Sequence, residues 1–177
     1  MSVIKNFKII FLSFFFLFLS TQGKSEVKVA FIQMDILIYE SSAGKSLIEQ
    51  LNKIDKKNKK NFKSFKEKLD KEKSDLSQKK NILSKDEYEK KVIDLNKKFK
   101  SFQEDVKNEI KKLQSKKNIG VTKILNELNL MLNQYSNKNE LTFIIDQKNI
   151  IIGKSDLNIT NKILKSLNEK LPKININ

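Results

Sequence analysis

The sequence has no cysteine, histidine, tryptophan or arginine, and only one proline and four glycines in 177 residues. Without cysteine there is no disulfide framework, no thiolate metal site and no lipidated N-terminal cysteine. Without histidine, the commonest general base and metal ligand is missing. These absences argue against an enzyme, and we expect no catalytic residue, no cofactor and no metal site.

The charge is strongly one-sided, with 36 lysines against 21 acidic residues and a net charge of +15. Arginine is the usual residue for bidentate recognition of phosphates and base edges, so its absence weakens a nucleic-acid-binding hypothesis. A basic nucleic-acid binder would nevertheless account for the charge, and it would bind with steep salt dependence. A codon bias toward Lys, Asn, Ile and Phe would also produce part of the charge, which alone therefore does not define a function.

The N-terminus has the pattern of a secretory signal. Lys5 and Lys8 precede residues 9–19, which are apolar with a single exception. A membrane span needs about 20 apolar residues, so this run is too short to cross as a helix.

We therefore predict a signal peptide over residues 1–25, cleaved after Gly23 or Ser25. An uncleaved anchor is the alternative. The mature chain is expected to work outside the cytoplasm.

The stretch 45–117 organises the chain. Its 73 residues include 24 lysines and 13 acidic residues but no glycine or proline. Its apolar residues recur at steps of three and four, the narrow stripe of a coiled coil. On the outgoing half the stripe is Leu47, Leu51, Ile54, Phe62, Phe65, Leu69, Leu76 and Leu83, and on the return half it is Tyr88, Val92, Leu95, Phe99, Phe102, Val106, Ile110 and Leu113.

The two halves mirror each other, which predicts an antiparallel helical hairpin. The facing pairs are Leu83 with Tyr88, Leu76 with Leu95, Leu69 with Phe102, and Phe65 with Val106. The tip is predicted at residues 84–87, where Ser84 and Glu87 have the spacing of a capping box. One unbroken long helix is the alternative, because no glycine or proline marks the tip.

A short motif at the start of the outgoing helix resembles a phosphate-binding loop. Residues 43–46 read Ala-Gly-Lys-Ser and follow a predicted strand. The phosphate-binding motif needs a glycine where Tyr39 stands, so we interpret these residues as a small-residue entry into a helix that starts near Ser41 or Ser42.

The rest of the chain is expected to form the body. Residues 26–34 are predicted to be a strand, and 35–40 lead into the outgoing helix. After residue 117 the return helix continues into the body, with Gly120 as a weak point. The predicted buried face of this helix is Val121, Ile124, Leu125, Leu128, Met131, Leu132 and Tyr135.

Two further strands are predicted at residues 141–146 and 150–153, joined as a hairpin by residues 147–149. A last helix, capped by Asn158 or Asp156, ends before Pro172. Its apolar face is Ile159, Ile163, Leu164, Leu167 and Leu171.

The predicted fold class is therefore α+β and mainly helical, with a long antiparallel coiled-coil hairpin projecting from a small β-body. The predicted divisions are the signal peptide at 1–25, the first strand of the body at 26–40, the arm at 41–117, and the body helix, two strands and last helix at 118–177. Three short strands leave sheet edges open, so we expect the body to oligomerise.

Three segments resemble the Skp/OmpH family of periplasmic chaperones. They are KVAFIQMDILIYESSAGKSLIEQLNK at 28–53, SFQEDVKNEI at 101–110 and ELTFIIDQKNIIIGKSDLNITNKILKSLN at 140–168. The resemblance covers the whole mature chain. In the last segment Asn158 stands where the family's helix start has Asp.

The resemblance implies a jellyfish-like homotrimer, in which three helical hairpins hang from a shared β-body around a cavity. It also implies an ATP-independent holdase that binds unfolded outer-membrane β-barrel proteins and prevents their aggregation. No catalytic residue, cofactor or physiological nucleic-acid partner is implied.

The residues themselves suggest where such a chaperone would touch its client or an anionic lipid surface. The candidates are the tip lysines Lys79, Lys80, Lys85, Lys90 and Lys91, together with Ile48, Ile82 and Ile93, which lie off the apolar stripe. The plainer interpretation of the lysines is a solvated helix face. Phe62, Phe65, Phe99 and Phe102 lie on the stripe, so a structural role is expected for them.

A structural envelope protein is the main alternative function. A periplasmic coiled coil that tethers or spaces other components would have a rigid hairpin and a fixed partner. The mirrored stripe is compatible with it, but the separate strand–strand–helix body fits the chaperone better.

Overall fold

The computed structural model describes residues 27–176, so the predicted signal peptide lies outside the described residues. The elements are β1 (Val29–Ile32), α1 (Met34–Tyr39), α2 (Ser42–Gln78), α3 (Lys85–Asn139), β2 (Phe143–Asp146) and α4 (Thr160–Lys170), with short 3-10 turns at Gln147–Asn149 and Ser155–Leu157. The predicted fold class is confirmed: a small α+β body carries a long antiparallel helical hairpin.

The hairpin is built from α2 and the first part of α3, which we call the outgoing and return arms. The α2 helix has 37 residues, so the outgoing arm is about 55 Å long. At the tip, the Glu87 N–H donates to Ser84 Oγ (3.4 Å) and the Ser84 N–H donates to the Glu87 carboxylate (3.2 Å). This capping box starts α3 as predicted, and the alternative of one unbroken helix is wrong.

The return helix passes from the arm into the body without a break at Gly120, so the predicted weak point is wrong. The α3 helix runs 55 residues, and Gly120 is buried within it. A Cβ at this position would lie 2.5 Å from Leu47 Cδ1 on the outgoing arm. The glycine therefore serves close packing of the two arms at their roots.

The sheet differs from the prediction. Strands β1 and β2 are parallel neighbours, with Val29 opposite Phe143 and Ile32 opposite Asp146. The predicted first strand is shorter than expected: residues 27 and 28 are not in a strand, and Met34 already begins α1. A single parallel bridge also joins Phe31 to Asn158.

The predicted hairpin between residues 141–146 and 150–153 is wrong. After β2 the chain enters the 3-10 turn, where the Lys148 N–H donates to Asp146 Oδ1 (3.3 Å). This turn leads the chain away from β2. Residues 150–153 form no strand, and Ile151 and Ile152 are 100% and 90% exposed.

Helix α1 was predicted only as a connecting segment. It has six residues, too few for a clear helical period, and it is stabilised by burial of Leu37 and Ile38. The chain then turns sharply into α2, whose N-cap is Ser41, in agreement with the predicted start. A Cβ on Gly44 would lie 2.0 Å from the Ile38 carbonyl oxygen, so only glycine fits this turn.

Two N–H groups in the first turn of α2 donate hydrogen bonds to side chains of the protein. Gly44 N–H donates to Ser41 Oγ (3.1 Å), and Ser42 N–H donates to Asn168 Oδ1 of α4 (2.7 Å). This arrangement agrees with the interpretation of residues 43–46 as a packed helix entry.

The body core lies where β1, α1, the arm roots, α4 and the C-terminal residues meet. The predicted faces of α3 and α4 are confirmed. The fourteen buried residues of this core are Ala30, Ile32, Leu37, Ile38, Ala43, Leu47, Ile124, Leu128, Met131, Ile159, Ile163, Leu167, Ile174 and Ile176.

The start of α4 differs in detail from the prediction. Its N-cap is Ile159, and Asp156 lies earlier, in a 3-10 turn. Asn158 stands one residue before the cap, where its side-chain oxygen accepts from the Thr160 N–H (2.9 Å). Asn158 therefore satisfies a first-turn donor, while Asp156 does not cap the helix.

Candidate functional site

The candidate site is the hairpin, because its two arms are the largest part of the molecule that is not packed into the body. Beyond the arm roots, the buried cluster between the arms consists of Leu69, Leu76 and Leu95. The partly buried residues around this cluster are Leu83, Tyr88, Val92, Phe99 and Phe102. The apolar contact is thus narrow, as the three-and-four spacing predicted.

The aromatic residues in the middle of the arms contact one another across the hairpin. Phe102 stacks on Phe65, with ring centroids 5.4 Å apart, and meets Phe62 edge-on at 6.1 Å. Phe65 is therefore paired one turn away from the predicted Val106. The expected structural role of these aromatic residues agrees with the contacts, although Phe65 remains 45% exposed.

One member of the predicted stripe does not face the partner arm. Ile110 is 63% exposed. Two successive steps of four, from Phe102 to Val106 to Ile110, carry a residue about 80° around a helix of 3.6 residues per turn. Ile110 therefore rotates out of the interface. At nearly this height, the Asn58 amide donates to Glu109 Oε2 (3.3 Å).

Because the contact is narrow, grooves remain open on both sides of it. The larger groove, of about 890 Å³, has Leu76 and Leu83 among its lining residues. Its charged lining residues are Lys68, Lys71, Glu72, Asp75, Lys79, Lys91, Asp94, Lys97 and Lys98. Six lysines against three carboxylates give this groove a net positive charge.

A second groove lies along the same part of the hairpin, and more of its lining residues are apolar. It has a volume of about 470 Å³ and shares Leu76 with the larger groove. Its other apolar lining residues are Tyr88, Val92, Leu95 and Phe99. Partly buried apolar side chains are thus within reach of solvent close to the basic groove.

The predicted contact lysines are all exposed, and two of them, Lys79 and Lys91, line the basic groove. Lys80, Lys85 and Lys90 are not among its lining residues. The sequence analysis missed the groove residues farther from the tip, such as Lys68, Lys71, Lys97 and Lys98. Their positions flanking the apolar stripe, with Lys68 and Lys71 three residues apart, were the available signals.

The three predicted apolar contact residues are also exposed, but they do not form one surface. Ile82 is 80% exposed and Ile93 is 53% exposed, both near the tip. Ile48, which is 40% exposed, lies at the root of the outgoing arm. Ile48 lies 30 residues before the end of α2 at Gln78, which is about 45 Å of helix, and Ile82 lies beyond that end.

Hydrogen bonds to the carboxylates at the tip and in the middle of the arms favour their charged forms. Bonds from Ser84 hold the pKa of Glu87 below its ordinary value. A hydrogen bond from Lys112 similarly lowers the pKa of Glu109, with a smaller contribution from Asn58. These pairs help to fix the ends and register of the arms, and neither is a catalytic arrangement.

Within residues 27–176, no cluster of acidic side chains has the geometry to hold a metal ion. Over the same residues, no helix combines the length and apolar character needed to span a membrane. The features that the described hairpin offers are extended grooves, exposed lysines and scattered exposed apolar side chains.

Fold and site together define a class of α+β proteins in which a small body carries one long antiparallel helical hairpin. The family described as "Outer membrane protein (OmpH-like)" matches residues 28–167. The chain therefore belongs to the OmpH-like family.

A solved structure has the same fold. It is that of a candidate outer membrane chaperone (OmpH-like) from Caulobacter crescentus CB15, with a TM-score of 0.78 and 18% sequence identity. The similarity covers 88% of this chain and 92% of that one. None of the curated proteins compared with the chain matches it.

Proposed function

We propose that this protein is an ATP-independent holdase of the periplasm, which binds unfolded outer-membrane β-barrel proteins between its helical arms. The observation that carries the proposal is the pair of open grooves beside the narrow contact between the arms. Membership of the OmpH-like family supports a chaperone role in general.

The grooves suit weak contact with many sequences. Lysine side chains place apolar stems beneath a mobile charge, so they can cover apolar segments while the ammonium groups stay in water. The basic groove would attract clients with net negative charge, or an anionic lipid surface, through a long-range field. Because each contact is weak, a client could be released to a folding partner without ATP.

The proposed location depends on the N-terminal segment. Residues 1–25 have the sequence of a signal peptide, and cleavage after Gly23 or Ser25 would release the mature chain into the periplasm. N-terminal sequencing of the chain recovered from a periplasmic fraction would test both the location and the cleavage site.

We further propose a homotrimer, assembled through the body. Ile151 and Ile152 project into solvent, and Phe143 of β2 is 57% exposed. A two-stranded sheet with open edges and exposed apolar neighbours would gain stability from pairing with other copies.

The assembly is tested by the mass of the mature chain at micromolar concentration. A trimer is expected, and Ile151→Lys combined with Ile152→Lys should shift it to monomers, because charge would be buried in the interface. Ile110→Lys on the exposed side of the arm is the control and should remain trimeric. A monomeric wild type, or a trimeric double variant, would contradict the proposed interface.

The holdase activity is tested by diluting a urea-unfolded outer-membrane β-barrel protein into buffer without ATP. The mature chain should suppress light scattering near one oligomer per client. If scattering is unchanged at several-fold excess, at both low and physiological salt, the chaperone proposal fails. A structural spacer with a fixed envelope partner would then be the better account.

The proposed contact lysines are tested with a charge-matched pair of variants. Changing Lys79, Lys80, Lys85, Lys90 and Lys91 to Gln should raise the amount of chaperone needed several-fold, with the largest effect at low salt. Changing five exposed lysines near or in the body to Gln (Lys45, Lys138, Lys154, Lys162 and Lys165) alters the net charge equally and should have a smaller effect. Equal effects would show that only net charge matters.

The apolar candidates are tested separately from the lysines. Ile82→Ser and Ile93→Ser, combined, should weaken client binding without lowering stability, because both side chains are exposed. Ile48→Ser is the comparison far from the tip and tests whether contact extends to the arm root. Unchanged binding in both variants would remove these residues from the proposed surface.

A further inference from the structure

The C-terminal tail, residues 172–176, occupies the groove where the two arms enter the body. It follows α4 and has no regular secondary structure. Ile174 and Ile176 are nevertheless buried, at 8% and 3% exposure, whereas Lys173 and Asn175 are exposed. This alternation is that of an extended peptide with one apolar face.

Side chains from both arms bind three successive carbonyl groups of the tail. Gln50 Nε2 of the outgoing arm donates to the Ile174 carbonyl (2.7 Å). From α3, Lys123 Nζ donates to the Asn175 carbonyl (2.6 Å) and Lys116 Nζ to the Ile176 carbonyl (2.8 Å). These donors contact backbone oxygens, which every peptide has, so they hold a peptide without selecting its polar side chains.

Gly120 forms the floor of the groove where the two arms enter the body, which we call the arm-root groove. Gly120 lies between Lys116 and Lys123 at i, i+4, i+7 spacing, so the three share one face of α3. A Cβ on Gly120 would lie 3.2 Å from Ile174 Cδ1, as well as close to Leu47. The glycine thus leaves room for a branched apolar side chain, and the two lysines flank it.

We infer that the arm-root groove is a binding site for extended peptide segments with apolar side chains two residues apart, and that the chain's own tail occupies it until such a segment displaces the tail. The choice of ligand rests on the proposed function, because strands of outer-membrane β-barrels alternate between apolar and polar residues. The tail lies beyond residues 28–167, the part that matches the family.

The tail is suited to exchange with a competing segment. The carbonyls of Ile174, Asn175 and Ile176 each accept a hydrogen bond from a long, flexible side chain. Chain termini held in this way are among the first parts of a protein to open. A client segment that supplies the same carbonyls and the same apolar spacing would therefore compete by mass action.

The test uses the full mature chain and a fluorescent peptide with the sequence of residues 171–177. In a release variant, Ile174→Ser and Ile176→Ser, the tail should leave the groove. The peptide should then bind about tenfold more tightly than it binds the wild type, as measured by anisotropy. A control peptide with serine at both isoleucine positions should bind neither chain. If a folded release variant binds the peptide no more tightly than the wild type, the inference is overturned.

A second measurement keeps the inference falsifiable if the release variant does not fold. The peptide with the sequence of residues 171–177, added to the wild type at millimolar concentration, should displace the tail. Hydrogen exchange at the amides of residues 173–176 should then become several-fold faster. The serine peptide should have neither effect. Equal exchange with the two peptides would overturn the inference.

The outcomes separate this inference from the proposed function. A wild-type chain that suppresses client aggregation, with a release variant that gains no peptide binding, would overturn the arm-root groove and leave the holdase in place. Peptide binding by the release variant without suppression of aggregation by the wild type would support the groove and contradict the holdase.

Discussion

The body and the arms of this molecule bury apolar side chains to very different extents. Fourteen buried residues from several elements meet in the core of the body, whereas three buried leucines hold the distal part of the described hairpin together. Local stability follows the density of buried apolar contact. We therefore expect the arms to open at a lower free-energy cost than the body.

The polar contacts of the arms do not make up this difference. The Lys66–Asp70 pair within the outgoing arm and the Lys98–Glu72 pair between the arms are both largely exposed. Exposed ion pairs contribute little net stability and are screened by salt. The charges of the arms therefore add little rigidity.

The comparison is tested most strongly by removing one leucine from each region. Leu128→Ala in the body should lower the free energy of unfolding by about 4 kcal/mol, because the side chain is fully buried and a cavity remains. Leu95→Ala in the arm should cost about 2 kcal/mol, because this side chain lines an open groove that water can fill. Urea unfolding measures both.

The location of the two effects matters as much as their size. Hydrogen exchange should speed throughout the body in Leu128→Ala but only near the tip in Leu95→Ala. If Leu95→Ala destabilises the whole chain as much as Leu128→Ala does, the arms and body unfold as one unit and the comparison fails.

A substitution where the body leads into α2 should lower the free energy of unfolding almost as much as one in the body core. Gly44→Ala should lower the free energy of unfolding by about 3 kcal/mol, because its Cβ would collide with the Ile38 carbonyl and the backbone must shift. Ser64→Ala, an exposed position of the same helix, is the matched control and should be close to neutral. A neutral Gly44→Ala would mean that the turn relaxes without cost.

The tip should respond weakly and locally. Ser84→Ala removes the N-cap of α3 and should destabilise this helix end by about 1 kcal/mol. Amide exchange over residues 85–88 should increase, while the urea midpoint of the body stays unchanged. A shift in that midpoint would show that the tip and the body unfold together, which would contradict the expected difference in their local stability.

The smallest effect is a pH dependence at the same cap. Glu87 has a lowered pKa in the folded chain, so its stabilising contribution is full above the ordinary glutamate pKa and disappears as the pH falls through the lowered value. Tip amides should therefore exchange faster on acidification below the ordinary range, after correction for the intrinsic rate. In Glu87→Gln this added dependence should be absent, and its persistence would assign the effect to another group.

The arms were predictable because their signals are local. The apolar period, the Ser84–Glu87 capping box and the Ser41 helix start each depend on residues a few positions apart, and all three are present in the structure. Phe65 contacts Phe102, one turn away from the predicted partner. The apolar spacing defines which face of each helix is buried, but it defines less closely which residue lies opposite on the other helix.

The body was harder to predict because its contacts join distant parts of the chain. Pairing of β1 with β2 joins Val29 to Phe143, and no local pattern distinguishes this from a hairpin of neighbouring strands. Ile151 and Ile152 have strand-like sequence but no partner strand among residues 27–176. The burial of Ile174 and Ile176 depends on the arm roots, which a reading of the tail alone does not reveal.

Hydrogen exchange with and without a bound, unfolded outer-membrane β-barrel protein tests the central claim most directly. The account predicts that, without client, amides of the arm tips exchange faster than those of the body core. With client, protection should rise along the grooves between residues 68 and 103, while the body core apart from the C-terminal tail is unchanged. Protection that appears only in the body, or arms as protected as the body before client is added, would contradict the account.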